Sequence, residues 1–146
     1  MDTIRRILEV KGDTVFSCAP DDTVMTAVEK MCAERIGALM VCDGDRPVGI
    51  FTERDVMNRV ILARKDPAHT RVEEAMTRDV VVIGADATTG EAMAVMTERR
   101  CRHLPVIVEG HLAGMVSIGD LVRQQSHNQQ FHIRMLTNYI MGRYPG

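Results

Sequence analysis

The sequence predicts an α/β fold of the α+β type, in which two βαββα halves pack with pseudo-twofold symmetry and a helix is added at the C-terminus. Three observations predict it. The chain matches itself when slid by 65 residues, and each half runs through short β-branched stretches and amphipathic stretches in one order. In addition, 146 residues, 45% of them hydrophobic, suffice for a single compact module.

The self-match is clearest in GIFTERD (Gly49–Asp55) and GMVSIGD (Gly114–Asp120), 65 residues apart. The same offset pairs Val15 with Val80, Asp21 with Asp86, Thr23 with Thr88, Ala27 with Ala92, Met31 with Met96, Arg35 with Arg100, Leu39 with Leu104 and Val41 with Val106, without a gap. These matches fall at the same points of the hydrophobic pattern, so the chain is two copies of one unit.

In the first copy VFSC (Val15–Cys18) reads as a strand, and Thr23 is placed to cap a helix whose apolar positions are Val24, Ala27, Val28 and Met31. ALMVC and VGIF, joined by a turn at Asp43-Gly44, read as a hairpin, and a second helix follows from about Thr52 to Leu62. The second copy repeats the order. Its elements are VVVI (Val80–Ile83), a helix carrying Ala92, Val95 and Met96, the hairpin HLPVIV and LAGMVS around Glu109-Gly110, and a helix from about Ser117 to Gln125. One module over 1–146 is expected, with copies at 14–62 and 72–126, a polar linker at 63–71 in which Pro67 stops any continuing helix, and a helical tail at 127–146. A copy of this size cannot cover both faces of a three-stranded sheet, so the copies are expected to pack on each other and leave a cleft.

Composition narrows the function. Eighteen basic and twenty acidic residues leave a net charge of −2, which gives no general attraction for nucleic acid or anionic lipid. The chain has no apolar run of about 18 residues and its charged start is too short for a signal segment, so no membrane span or secretion is expected and a cytoplasmic location is. Cys18, Cys32, Cys42 and Cys101 form no C-x-x-C or zinc spacing and read as small core residues, while His127 and His132 lie off a common helix face, so no metal site is expected. No P-loop, G-x-G-x-x-G or Ser-His-carboxylate arrangement occurs, and an enzyme is not expected.

The repeated T/S-x-x-D segments carry the chemistry. As a capping box, Thr52 or Ser117 accepts a helix amide and the carboxylate three residues on accepts the amide of the cap. As a ligand site, the helix start with its hydroxyl meets a phosphate, while the aspartate accepts both hydroxyls of a ribose cis-diol. Both readings stay open on the residues alone.

These segments, together with PDDTVMTAVEKM, ADATTGEAMAVM, RIGALMV and RHLPVIV, resemble the tandem CBS (cystathionine beta-synthase) domain pair, or Bateman module, from about Thr14 to Arg123. The resemblance implies a non-catalytic regulatory module that binds an adenosine-containing ligand, such as AMP, ADP, ATP, NAD or S-adenosylmethionine, in the cleft between the copies. No cofactor is required. It further implies crossed sites. Site 1 comprises Ile50, Thr52, Arg54 and Asp55 facing Val80, Val81, Cys101, Arg102, His103 and Pro105, with Arg35 near phosphate. Site 2 comprises Met115, Ser117 and Asp120 facing Val15, Phe16, Ile36, Gly37 and Ala38, with Arg100 near phosphate. Arg35 and Arg100 also end helices, where a cation favours the dipole, so either role is open to them. The first motif has Arg54 where the second has Gly119, so site 1 is expected to hold more phosphate charge and site 2 to leave more room, with Phe16 stacking on or filling its purine slot.

The apolar stripes Ile4–Leu8 and Phe131–Ile140, the latter running up to Gly142, call for a covering surface, and a homodimer is expected. The resemblance adds a flat disc of two pairs meeting through their first helices, a surface that Met25, Met31, Met93 and Met96 would suit unless they are ordinary core. A regulated partner protein is also expected. The alternative to ligand sensing is a purely structural dimerisation or protein-interaction module.

Overall fold

The computed structural model describes residues 2–128. Its helices are α1 (Ile4–Lys11), α2 (Val24–Glu34), α3 (Glu53–Asp55), α4 (Val72–Ala75), α5 (Thr89–Arg99) and α6 (Ile118–Asn128). Its strands are β1 (Ser17–Cys18), β2 (Ala38–Asp43), β3 (Arg46–Thr52), β4 (Ile83–Gly84), β5 (His103–Val108) and β6 (His111–Ser117). They divide into two compact units. One holds Thr14–Val82 and Gly110–Ala113; the other holds, among the described residues, 2–13, Ile83–Glu109 and 114–128.

In the first unit the sheet order is β1-β2-β3, with β1 parallel to β2 (Ser17 opposite Met40) and β2 antiparallel to β3 (Ala38 opposite Thr52), interrupted by a bulge at Val41/Cys42. Thr23 starts α2 by accepting the Thr26 amide at 3.1 Å, and the helical spacing of Val24, Ala27 and Met31 buries all three in a core with Leu39, Val41 and Phe51. Phe51 is fully enclosed there.

The segment expected to be a polar linker is a docked one. Its Thr70 and Pro67 carbonyls accept the Val24 and Met25 amides at 2.8 and 3.0 Å, so it closes the open start of α2. Val72 and Ala75 of α4, a helix that the hydrophobic pattern does not reveal at this length, then enter the same core. After α3 the chain widens into a π-helical stretch over Val56–Ile61, with Leu62 N–H bonding the Met57 carbonyl and Lys65 N–H the Val60 carbonyl, both at 2.9 Å. The wider turn fits the burial of Asp55 and Val60, five residues apart.

In the second unit the order is β4-β5-β6, with β4 parallel to β5 (Ile83 opposite Val106). The N-terminal helix belongs to this unit. Ile4 and Arg5 amides bond the Ala87 and Ala85 carbonyls at 2.9 and 2.8 Å, Asp2 O accepts the Thr89 amide at 3.1 Å, and Ile4 and Ile7 are buried.

Several expectations are corrected. The first strand of each copy is shorter than VFSC or VVVI. Only Ser17–Cys18 and Ile83–Gly84 pair, which leaves Val15, Phe16, Val80 and Val81 as half-buried connecting chain. The Ile4–Leu8 stripe does not wait for a second copy, because its own unit covers Ile4 and Ile7. Cys32 is exposed rather than core, since it follows the buried Met31 around α2 and so turns to solvent; Cys18 is buried, and Cys42 and Cys101 are half-buried. Met31 and Met96 are core, whereas Met25 is exposed. The Phe131–Ile140 stripe lies outside the described residues. Among the described residues no helix is long and apolar enough to cross a membrane.

Candidate functional site

Each T/S-x-x-D segment closes as a reciprocal cap. Asp55 N–H donates to Thr52 Oγ1 at 3.2 Å while Thr52 N–H donates to Asp55 Oδ2 at 3.0 Å. Asp120 N–H donates to Ser117 Oγ at 3.2 Å while Ser117 N–H donates to Asp120 Oδ2 at 2.8 Å. The cause is local, since a residue three places into a helix lies directly over its cap. Both carboxylates are buried, at 6% and 7% exposure, so partners beyond the cap decide what else each can bind.

Around Asp55, the Thr77 hydroxyl donates to Oδ1 at 3.0 Å and the Arg59 Nε stands 3.7 Å from the same oxygen. Thr77 is held in place by a two-way backbone bridge with Ile50, at 2.9 and 2.8 Å, and Arg59 Nη1 donates to the Met76 carbonyl at 2.6 Å. Gly49 permits this approach. A Cβ there would stand 2.8 Å from both Met76 Sδ and Thr77 O.

Around Asp120 the partners are cations. Lys11 Nζ donates to Oδ2 at 2.8 Å and Arg123 Nη2 to Oδ1 at 2.6 Å. Burial alone raises a carboxyl pKa, but the Lys11 bond, the Ser117 amide, the Lys11 charge and the Arg123 bond together outweigh it and hold Asp120 below its ordinary value. A carboxyl whose folded pKa lies below its unfolded value of about 3.9 contributes stability above that pH, and the contribution is lost as pH falls through the folded pKa. The urea midpoint is therefore expected to drop below about pH 4, with a shallower drop in Asp120→Asn. An unchanged acid slope in that variant would assign the acid sensitivity to other groups.

The remaining candidates fall as follows. Ile50, Thr52, Arg54 and Asp55 sit together where β3 enters α3, in the unit that also holds Val80 and Val81. Gly37 and Ala38, assigned by the resemblance to site 2, lie beside this same junction: Gly37 O accepts the Glu53 amide at 3.0 Å, and Ala38 is opposite Thr52. Val15, Phe16 and Ile36 share that unit, and Phe16 and Ile36 pack on its core.

Met115, Ser117 and Asp120 sit where β6 enters α6, in the unit that holds Cys101, Arg102, His103 and Pro105; there Arg102 O accepts the Ile118 amide at 2.8 Å. Burial raises the Cys101 thiol pKa, which keeps that group neutral. Arg35 and Arg100 are exposed C-caps in the left-handed conformation, with φ of 55° and 53°, where glycine is usual. Neither arginine lies in the capping box of its own copy.

Beside Gly119 a Cβ would meet Arg123 Nη1 at 3.5 Å and Ser117 Oγ at 3.6 Å, ordinary contact distances. Thr77, Arg59, Lys11 and Arg123 are the partners that the motif did not disclose. Arg59 and Arg123 stand four and three residues after their aspartates, a spacing that brings side chains together on a helix and was readable. Lys11 and Thr77 had no such signal. Among the described residues no group of three or more His, Cys, Asp or Glu is placed to hold a metal ion.

A family model described as CBS domain matches residues 7–62 and 72–127. The chain is 35% identical to the protein named CBS domain-containing protein CBSX3, mitochondrial, of Arabidopsis thaliana, over 97% of this chain and 73% of that one. Among solved structures it is similar to a CBS-domain protein of Burkholderia ambifaria, with 43% identity, a TM-score of 0.84, and 87% and 96% of the two chains covered. It is also similar to a hexameric CBS-CP12 protein from bloom-forming cyanobacteria, with 26% identity, a TM-score of 0.75, and 87% and 74% covered.

Proposed function

Because the chain belongs to the CBS-domain family and carries two copies in tandem, we propose that it is a non-catalytic regulatory module for an adenosine-containing ligand, AMP, ADP, ATP or NAD. The observation that carries this reading is a buried aspartate at the same point of both copies, each anchored by a helix cap with its carboxylate oxygens within reach of further donors. Asp55 is the better sugar acceptor. Its partners beyond the cap are a neutral hydroxyl and a guanidinium at 3.7 Å, so a ribose diol can replace the hydroxyl at little cost, with Thr52 and Arg54 beside it for phosphate. A ligand of this kind acts by binding one arrangement of the module more tightly than another.

We further propose self-association, which the hexameric relative and the exposed Met25, Met57, Ile61, Leu62 and Val122 support. The four free thiols fit a reducing, cytoplasmic compartment. Titration calorimetry with AMP, ATP, NAD and S-adenosylmethionine, alongside light scattering over a concentration series, tests both proposals. Saturable binding with a dimer or larger assembly is expected; no heat at millimolar ligand sinks the sensor reading, and a monomer throughout sinks self-association. A second reading, a structural module whose aspartates only cap helices, is favoured by the fact that both carboxylates already engage their own cap amides.

A further inference from the structure

The two aspartates occupy equivalent places in the repeat, yet different chemistry faces them. Sliding the sequence by 65 puts Lys11 opposite Met76 and Gly12 opposite Thr77. Where Asp55 meets the Thr77 hydroxyl, Asp120 meets an ammonium. Lys11 Nζ donates both to Asp120 Oδ2 and to the Met115 carbonyl, each at 2.8 Å, across 109 and 104 residues of chain.

A seated helix delivers that amine. Thr3 caps α1 by accepting the Arg6 amide, Ile4 and Ile7 are buried, and Leu8, one turn before Lys11, lies so close to β6 that a Cβ on Gly114 would stand 2.7 Å from its Cδ2. Lys11 keeps only 36% of its side-chain exposure although it carries a full charge. Arg123 completes the cluster from one turn along α6, but with 73% exposure it is the partner more easily drawn off by water.

A ribose cis-diol is neutral and must donate to both carboxylate oxygens. At Asp120 it has to displace an ammonium and a guanidinium, whose full charges attract the carboxylate, and a hydroxyl offers only a dipole in their place. At Asp55 it displaces one hydroxyl bond.

We propose that Lys11 is a latch: the N-terminal helix closes Asp120 to sugar, so the chain takes a diol ligand first at Asp55 and admits a second at Asp120 only when α1 is displaced. This rests on the nucleotide reading above. AMP titrated into the full chain is expected to bind once per chain in the wild type and twice in Lys11→Met, with Lys11→Arg behaving as the wild type. On an Asp55→Asn background, Lys11→Met is expected to strengthen the remaining AMP site at least tenfold.

Equal stoichiometry and affinity in the wild type and Lys11→Met overturn the latch and leave the nucleotide reading standing. No AMP binding to any of these proteins defeats that reading and the latch with it. Urea unfolding of Lys11→Met, Asp120→Asn and the double variant supplies a ligand-free check. The midpoint shifts are expected to be non-additive, and simple additivity means that no latch exists.

Discussion

Asp55→Ala is expected to cost about 1–3 kcal/mol of stability and to abolish AMP binding at that site. The loss has two local parts. The Thr52 amide and the Thr77 hydroxyl, both part-buried, lose their acceptor, and Arg59 loses its ion partner. Asp55→Asn separates the structural part from the functional one. An amide oxygen still accepts the cap bond, so most stability is retained, but that one oxygen then has a single lone pair left for the two sugar hydroxyls. AMP affinity is expected to fall about 10–100-fold in this variant, the loss typical of one charge-assisted hydrogen bond. Urea unfolding and calorimetry on the same protein read the two effects. An Asn variant that binds as the wild type does would leave Asp55 as a cap and nothing more.

Gly49→Ala is expected to destabilise by about 1–3 kcal/mol, as overpacking of a tight interior does. The new methyl meets the Thr77 carbonyl at 2.8 Å, and that carbonyl accepts the Ile50 amide in the bridge that also positions the Thr77 hydroxyl on Asp55. Backbone held in this way cannot rotate aside. At the matching position Gly114→Ala meets only the Leu8 side chain, whose end can change rotamer, so a smaller loss is expected. Urea midpoints for the two variants provide the comparison. Equal losses would show that the Thr77 backbone yields as readily as a leucine side chain.

The difference between these glycines illustrates how far the sequence could be read. Both open the same repeated motif, and their equivalence is visible at an offset of 65; what presses on each of them is not. The caps at Thr23, Thr52, Thr88 and Ser117 were legible because a cap and the amide it serves lie within three residues, where helix geometry leaves little choice. The hairpins were legible for the same reason, since the turn residues Asp43-Gly44 and Glu109-Gly110 act over a few positions between apolar runs. The π-helical stretch after Asp55 was not, because a run such as VMNRVI carries the same residues whether its amides bond four or five places back.

By itself, then, the sequence determined that one βαββα unit occurs twice, where its helices begin, and that an aspartate stands at the same point in both copies. Tertiary structure alone decided the company of those aspartates beyond their own helices. The arm before each copy docks on the other one, so the segment at 67–77 serves Asp55 and the N-terminal helix serves Asp120. Contacts formed across 22 residues in one case and 109 in the other leave no periodicity to read. They are selected by which apolar faces bury together, and that choice places an ammonium on one carboxylate and a hydroxyl on its counterpart.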